Sequence, residues 1–162
     1  MNATTTKALS LALVVAVWTI VSHLGKLPLQ LWPVIVGLAC FIGAGGGMMG
    51  LQKSILGSLS GVVWALIYAS VAGALGHSEV ADALILGAAV FGMVLQARVP
   101  LLSYTAGAFV GAATALGARA VTINGSIRVA IALAIGCVLG IVAERVAEMI
   151  GRMRVVPAMS NR

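Results

Sequence analysis

The sequence predicts an all-α polytopic membrane protein with six transmembrane helices and a broken or re-entrant segment at its glycine-rich stretch. Three observations predict it. Of the 162 residues, 61% are hydrophobic and only 9% are charged, with a mean hydropathy of +1.12, whereas a soluble domain carries about 25% charge. Charged residues divide the chain into uncharged stretches at 8–25, 27–52, 54–78, 83–97, 99–118 and 129–143, to be compared with the ~20 residues a spanning helix needs. The longest of these stretches closes on FIGAGGGMMG, with five glycines in its last eight residues. Ten basic residues against four acidic ones would point to nucleic acid in a soluble chain. Here they lie between apolar runs and read as membrane topology, with the lipid bilayer as the partner and no nucleic acid.

Each element has its own justification. The first apolar run follows Lys7, contains Trp18 and ends in Ser22-His23-Leu24-Gly25. It lacks a small-x-small cleavage site and is read as a retained helix, not a signal peptide. The second segment begins near Leu29, after Pro28, and holds Pro33, a residue tolerated in a first turn. At its end Gly43, Gly46, Gly47 and Gly50 give overlapping G-x-x-x-G spacings. Such spacings fit a tight helix crossing. They equally fit a departure from helical geometry over residues 44–50 that bares backbone carbonyls and amides to a solute path.

In the third helix Ser54, Gly57, Ser58, Gly61, Trp64, Ala65 and Tyr68 recur at helical spacing, forming one face of small and hydroxyl residues finished by two aromatics. The fourth and sixth stretches are short, which places Asp82, Arg128 and Arg145 at the interface with arginine stems snorkelling outward. The fifth has Pro100 in its first turn and Ser103, Gly107, Gly111 and Thr114 on one face, with Tyr104, Thr105 and Phe109 near its cytoplasmic end. For both hydroxyl-bearing faces, helix packing with side chains bonded back to carbonyls is the alternative to a lined path. Residues 1–151 form a single transmembrane helical domain. Arg152, Arg154 and Pro157 then mark a short cytoplasmic tail over 152–162, and Glu148 shares an exposed helical face with Arg145 and Arg152.

With the N-terminus inside, Lys7, Lys53, Arg98, Arg145, Arg152, Arg154 and Arg162 are cytoplasmic, while Lys26, Arg119 and Arg128 are outside. The connection carrying His77, Glu79 and Asp82 has no Lys or Arg and falls outside, as the positive-inside rule expects. Two pieces look alike, residues 47–53 and 92–98, each setting a glutamine beside a cation. The likeness needs a one-residue gap and covers few positions, so it is read as chance and not as a transporter-type repeat.

The pieces GGGMMGLQKSILGSLSGVVWAL (45–66) and FGMVLQARVPLLSYTAGAFVGAATALGA (91–118) resemble the YcdZ-like family of small bacterial inner-membrane proteins, a family of unknown function. The resemblance rests on Gly46, Gly47 and Gly50; on Ser60 to Ala65; on Gln96 to Arg98; and on Leu101 to Tyr104 followed by Gly107, Phe109, Gly111 and Ala112. It implies a multi-span inner-membrane protein and little more. Members of the family often have proline where this chain has Ala106, a departure that weakens a broken-helix reading of the fifth span.

No constellation for catalysis falls within the spans, so the chain is not expected to be an enzyme, and no metal or cofactor is called for. His77, Glu79 and Asp82 are the only compact titratable set and read as a solvated outer turn without a second His or Cys. His23 reads as a helix-end residue. Cys40 and Cys137, 97 residues apart, read as buried packing residues. There is no G-x-x-x-x-G-K-[ST] loop, H-E-x-x-H or C-x-x-C, which leaves ATP-driven transport and common redox or protease chemistry without support.

Proton-coupled carriers place ionisable residues at mid-depth, and none falls near the middle of a predicted span. The expected function is therefore a channel or facilitator for a small neutral or weakly polar solute, selecting by width and hydrogen bonding. Its path would be lined by Gly43, Gly46, Gly47 and Gly50, by Ser54, Ser58, Trp64 and Tyr68, and by Ser103, Tyr104, Thr105, Gly107 and Phe109. Abundant small-residue faces in a short chain lead us to expect a homo-oligomer. The alternative is a structural or accessory membrane protein that packs against a partner through the same glycines and conducts nothing.

Overall fold

The computed structural model describes residues 3–76 and 78–153. Its six α-helices are α1 (Ala3–Leu24), α2 (Leu31–Gly43), α3 (Gly47–Ala74), α4 (Glu79–Leu95), α5 (Thr105–Gly117) and α6 (Ile123–Met153), with no strand among the described residues. His77, Arg154, Pro157 and Arg162, and the tail beyond Met153, lie outside the described residues. The first, third, fourth and sixth helices are long and apolar enough to cross a membrane. By contrast α2 and α5 have 13 residues each, about 20 Å of helix against a hydrocarbon core of ~30 Å.

The uncharged stretch 27–52 is thus not one helix. Pro33 sits buried in the first turn of α2, as its spacing predicts. At the other end the chain leaves helical geometry immediately after Gly43. Gly45 donates to the Ile42 carbonyl at 3.1 Å and Gly46 to that of Phe41 at 3.2 Å, the paired bonds that close a helix when the next residue turns left-handed. Gly45, Gly46 and Gly47 have φ of 92°, 70° and 65°, a region that a Cβ disfavours by roughly 1–2 kcal/mol. The glycine-rich stretch is therefore a turn between two helices, not a crossing face. Gly50 serves it as well, since a Cβ there would stand 3.3 Å from the Ala44 carbonyl oxygen.

One sequence expectation about α5 needs correction. Pro100 is not in its first turn but opens a separate 3-10 turn, Pro100–Leu102, which follows another at Gln96–Arg98. Proline holds the preceding Val99 extended, at φ −86° and ψ 120°, so the chain kinks before α5 begins. Ser103 consequently precedes α5, with its hydroxyl bonded back to the Pro100 carbonyl.

Packing follows from small residues. The most extensive contacts pair α3 with α5 and α2 with α6. A Cβ on Gly61 would fall on the Ala108 carbonyl oxygen, and one on Gly111 on that of Ser58. Likewise, Gly37 faces the Leu133 carbonyl and Gly136 that of Val34. Gly57 meets Tyr104 where Gly61 meets Ala108, and Gly37 meets Leu133 where Gly140 meets Phe41; these neighbours advance together along both helices, so each pair runs parallel. Large apolar side chains point the other way: Leu13, Val17 and Ile20 of α1 and Leu84, Phe91 and Val94 of α4 are exposed. A core of alanine, glycine and serine inside a rim of leucine and phenylalanine is the arrangement expected of helices in lipid.

These contacts reveal a duplication. Gly37 and Gly136 stand to each other as Gly111 and Gly61 do, down to the position of the carbonyl each one meets. Residues 36–44, VGLACFIGA, recur 74 positions later as VGAATALGA at 110–118. Helices α2 and α5 have the same length and the same left-handed cap, with Arg119 at φ 51° where α2 has Gly45. The contact of α3 with α4 repeats as that of α6 with α1. Because α3 runs parallel to α5 but antiparallel to α2, the halves α1–α3 and α4–α6 are inverted relative to each other. The two glutamine-cation segments do not occupy equivalent places: one opens α3 and the other closes α4.

The glycine crossings give a direct prediction. Gly61→Ala or Gly136→Ala forces backbone apart and should cost about 3 kcal/mol, at the upper end of overpacking, read as a lower unfolding midpoint in detergent. Gly87, whose Cβ would meet nothing within 4 Å, should accept alanine without loss.

Candidate functional site

Helix directions gather Lys7, Lys53, Arg98, Glu144 and Arg145 at the end of the bundle that carries the glycine turn, and Lys26, Arg119 and Arg128 at the other. Between α1, the glycine turn and the last turns of α6, a cleft of about 700 Å³ opens at the first end. Lys7 and Ser10 line one wall, Glu144 and Glu148 another, and Phe41 and Gly140 lie among its lining residues. Glu144 accepts a hydrogen bond from the Gly47 N–H at 2.9 Å. The first amides of α3 have no intrahelical partner, so a carboxylate here satisfies a donor and complements the positive helix end. A Cβ on Gly46 would collide with that carboxylate, which gives this glycine a second reason to be there.

Beside this cleft lies an aromatic plug. Tyr104 caps the N-terminus of α5 and packs, half-buried, against the cluster of Cys40, Phe41 and Cys137. Gly107 admits its ring, Gly57 stands 3.5 Å from the ring edge by its would-be Cβ, and the hydroxyl reaches Gly43. Both cysteines are free and buried; the Cys137 thiol donates to the Gly37 carbonyl at 3.3 Å. The 97 residues that separate them in sequence had concealed their proximity.

A third polar group joins α3 to the end of α4. The Trp64 indole donates to the Gln96 side-chain oxygen at 3.0 Å, and the Gln96 amide donates to the Ser60 hydroxyl at 2.9 Å. The Trp64 ring also covers Gly92, where a Cβ would strike it. At the opposite end of the bundle a smaller pocket of about 200 Å³ is lined by Gln30, Pro33, Arg119, Arg128, Val129 and Ala132, among others.

The residues expected along a solute path divide among these places. Gly46 and Gly47 line the large cleft. Gly43, Gly107 and Tyr104 meet at the plug, close to Ser54 and Ser58, which are fully buried and bond back to the Leu51 and Ile55 carbonyls at 3.0 and 3.2 Å. Trp64 stands apart with Gln96, Tyr68 lies further along α3, Gly50 braces the turn, and Thr105 opens α5. Ser103 and Phe109 are exposed at the periphery. Sequence reasoning missed Glu144 and Gln30. The signal for Glu144 was an acid one residue before Arg145, at the end of an apolar run.

This architecture, six apolar helices in two inverted halves with small residues inside, defines a polytopic α-helical membrane protein. The family described as "Protein of unknown function (DUF1097)" matches residues 8–148, and the chain belongs to it. It is 35% identical over 96 residues to Inner membrane protein YcdZ of Escherichia coli (strain K12), covering 59% of this chain and 56% of that one. To the protein of the same description in Salmonella typhimurium (strain LT2) it is 34% identical over 88 residues, covering 54% and 55%. The matched segment thus spans just over half the length of these curated relatives. The resemblance expected from residues 45–66 and 91–118 holds. No solved structure matches the chain.

Glu144→Ala should lower stability by about 0.5–1.5 kcal/mol, the net worth of a hydrogen bond to an amide that water can reach once the carboxylate is gone. Glu144→Gln keeps an acceptor and should recover most of that loss, as measured by thermal unfolding of the purified protein.

Proposed function

We propose that this protein is a passive facilitator for a small neutral or weakly polar solute in the bacterial inner membrane, and not an enzyme. The observation that carries the reading is the cleft of about 700 Å³ at the glycine turn, at one end of a bundle built from inverted halves, the plan on which many membrane transporters are made. Among the described residues the ionisable side chains cluster toward the helix ends, an arrangement better suited to passive movement than to proton coupling. Six spans require α2, with ~20 Å of helix, to cross together with the non-helical residues 27–30 that lead into it. The excess of cations at the glycine-turn end favours a cytoplasmic location for that end and for both termini. A chain of 162 residues has little room to enclose a wide path alone, which favours a homo-oligomer.

Stopped-flow light scattering on proteoliposomes challenged with urea, glycerol, guanidinium and simple salts tests the reading. Faster permeation of one solute than in protein-free liposomes is expected. Gly47→Asn should reduce it several-fold without unfolding the protein, because asparagine tolerates φ near +65° and a Cβ at this position meets nothing within 4 Å. If folded protein accelerates no solute, the facilitator reading falls and the accessory role, with a dissimilar partner recovered by crosslinking, takes its place.

A further inference from the structure

The two inverted halves differ at one corresponding place. Tyr104 caps α5 and Gln30 caps α2, and the duplication makes them equivalents. It also pairs Gly107 with Pro33, Ser54 with Val129, Gly57 with Ala132 and Lys53 with Arg128. At the glycine-turn end the Tyr104 ring fills the space between α3 and α5, against Gly57 and Gly107. At the other end the same space, between α6 and α2, is the pocket of about 200 Å³ lined by Pro33, Arg128, Val129 and Ala132. Gln30 does not occupy it. Its side-chain oxygen instead accepts the Trp32 indole N–H at 3.0 Å in an exposed bond. Trp32 in turn reaches α5 at Gly117, 3.9 Å from a Cβ placed there, much as Tyr104 reaches Gly43.

We infer that the Gln30–Arg128–Val129 pocket is the open half of a solute path and that Tyr104 is the gate closing its inverted counterpart. The pocket takes a small solute bearing carbonyl or hydroxyl oxygen, because Arg119, Arg128 and the Gln30 amide present donors at its wall. In an inverted repeat the conformation of one half is a template for the other. Withdrawal of the Tyr104 ring, as Gln30 is withdrawn, opens an equivalent pocket over Ser54 and the Cys40–Cys137 cluster. The inference rests on the facilitator reading.

Thiol labelling of the purified protein with a charged maleimide tests it without measuring flux. In the wild type, Cys40 and Cys137 are protected. Tyr104→Ala should raise their labelling rate by about tenfold or more, the scale of a modest local opening, whereas Tyr104→Phe, which keeps the ring, should leave them protected. In a Cys40→Ala, Cys137→Ala background, Ala118→Cys, at a partly buried position on the pocket wall, should label readily, Gln30→Tyr should suppress that labelling by about tenfold, and acetamide should slow it as a saturable competitor. Equal labelling of the native thiols with and without the ring, or a protected Ala118→Cys, overturns the gate; no slowing by acetamide overturns the solute class. These readouts follow exposure and not transport. A protein that shows them but conducts nothing refutes the facilitator reading alone, and one that conducts without them refutes the gate alone.

Discussion

Backbone meeting backbone at Gly37, Gly61, Gly111 and Gly136 is the constraint on which the rest of this structure depends. In lipid no hydrophobic drive brings helices together, so association relies on dispersion and close contact. Each of these glycines lets a neighbouring carbonyl occupy the space of a missing Cβ. Without that approach α2 and α5, at 13 residues, would have too little side-chain surface to hold their places in the bundle. Their shortness in turn fixes where the turns fall. The glycine turn ends α2 beside the last turns of α6, and the cleft forms there because a short helix leaves space above it.

Close packing also decides how polar groups are treated. Ser54 and Ser58 sit in the tightest crossing, fully buried, and each hydroxyl returns to a carbonyl three residues back. A hydroxyl thus acts here as a small residue whose polarity has been satisfied internally. The Cys137 thiol on the Gly37 carbonyl ties α6 to α2, and two further groups link separate elements, the Glu144 carboxylate on Gly47 and the Trp64–Gln96–Ser60 chain. Both stand near the glycine-turn end, where the segments that are not continuous helix need fixing.

Much of the fold was legible in the sequence, and the reason differs from element to element. Helical class and the main spans follow from hydropathy, because lipid admits little else. The helical face of Gly57 and Gly61 was visible at its spacing, and its role proved to be the crossing with α5. What hydropathy cannot show is a helix end inside an apolar run, which is why residues 44–50 read equally as a tight crossing and as a departure from helix. The left-handed turn at 45–47 was written in glycine, but its counterpart at Arg119 carries a side chain and gives no such sign. The duplication was present as VGLACFIGA and VGAATALGA. The likeness of 47–53 to 92–98, glutamine beside a cation, is no part of it, since those residues serve boundaries that are not equivalent. At the candidate site, glycine and tyrosine marked the plug, whereas the partner of each depends on a helix distant in sequence.

Inverted duplication also explains the distribution of charge. Two identical inverted halves would present the same cations at both ends and have no preferred orientation under the positive-inside rule. Lys53 and Arg128 retain that symmetry, both in the second turn of their helices, α3 and α6, so the pair sets one cation at each end. Orientation must come from positions at which the halves have diverged. Lys7, Arg98 and Arg145 have Ala81, Leu24 and Ser70 as their counterparts, while Lys26 and Arg119 have Pro100 and Gly45. Among the residues whose side chains are described, three unmatched cations at one end exceed two at the other. The same divergence set Tyr104 against Gln30, so the differences that orient the chain and those that distinguish its two ends arose on one scaffold.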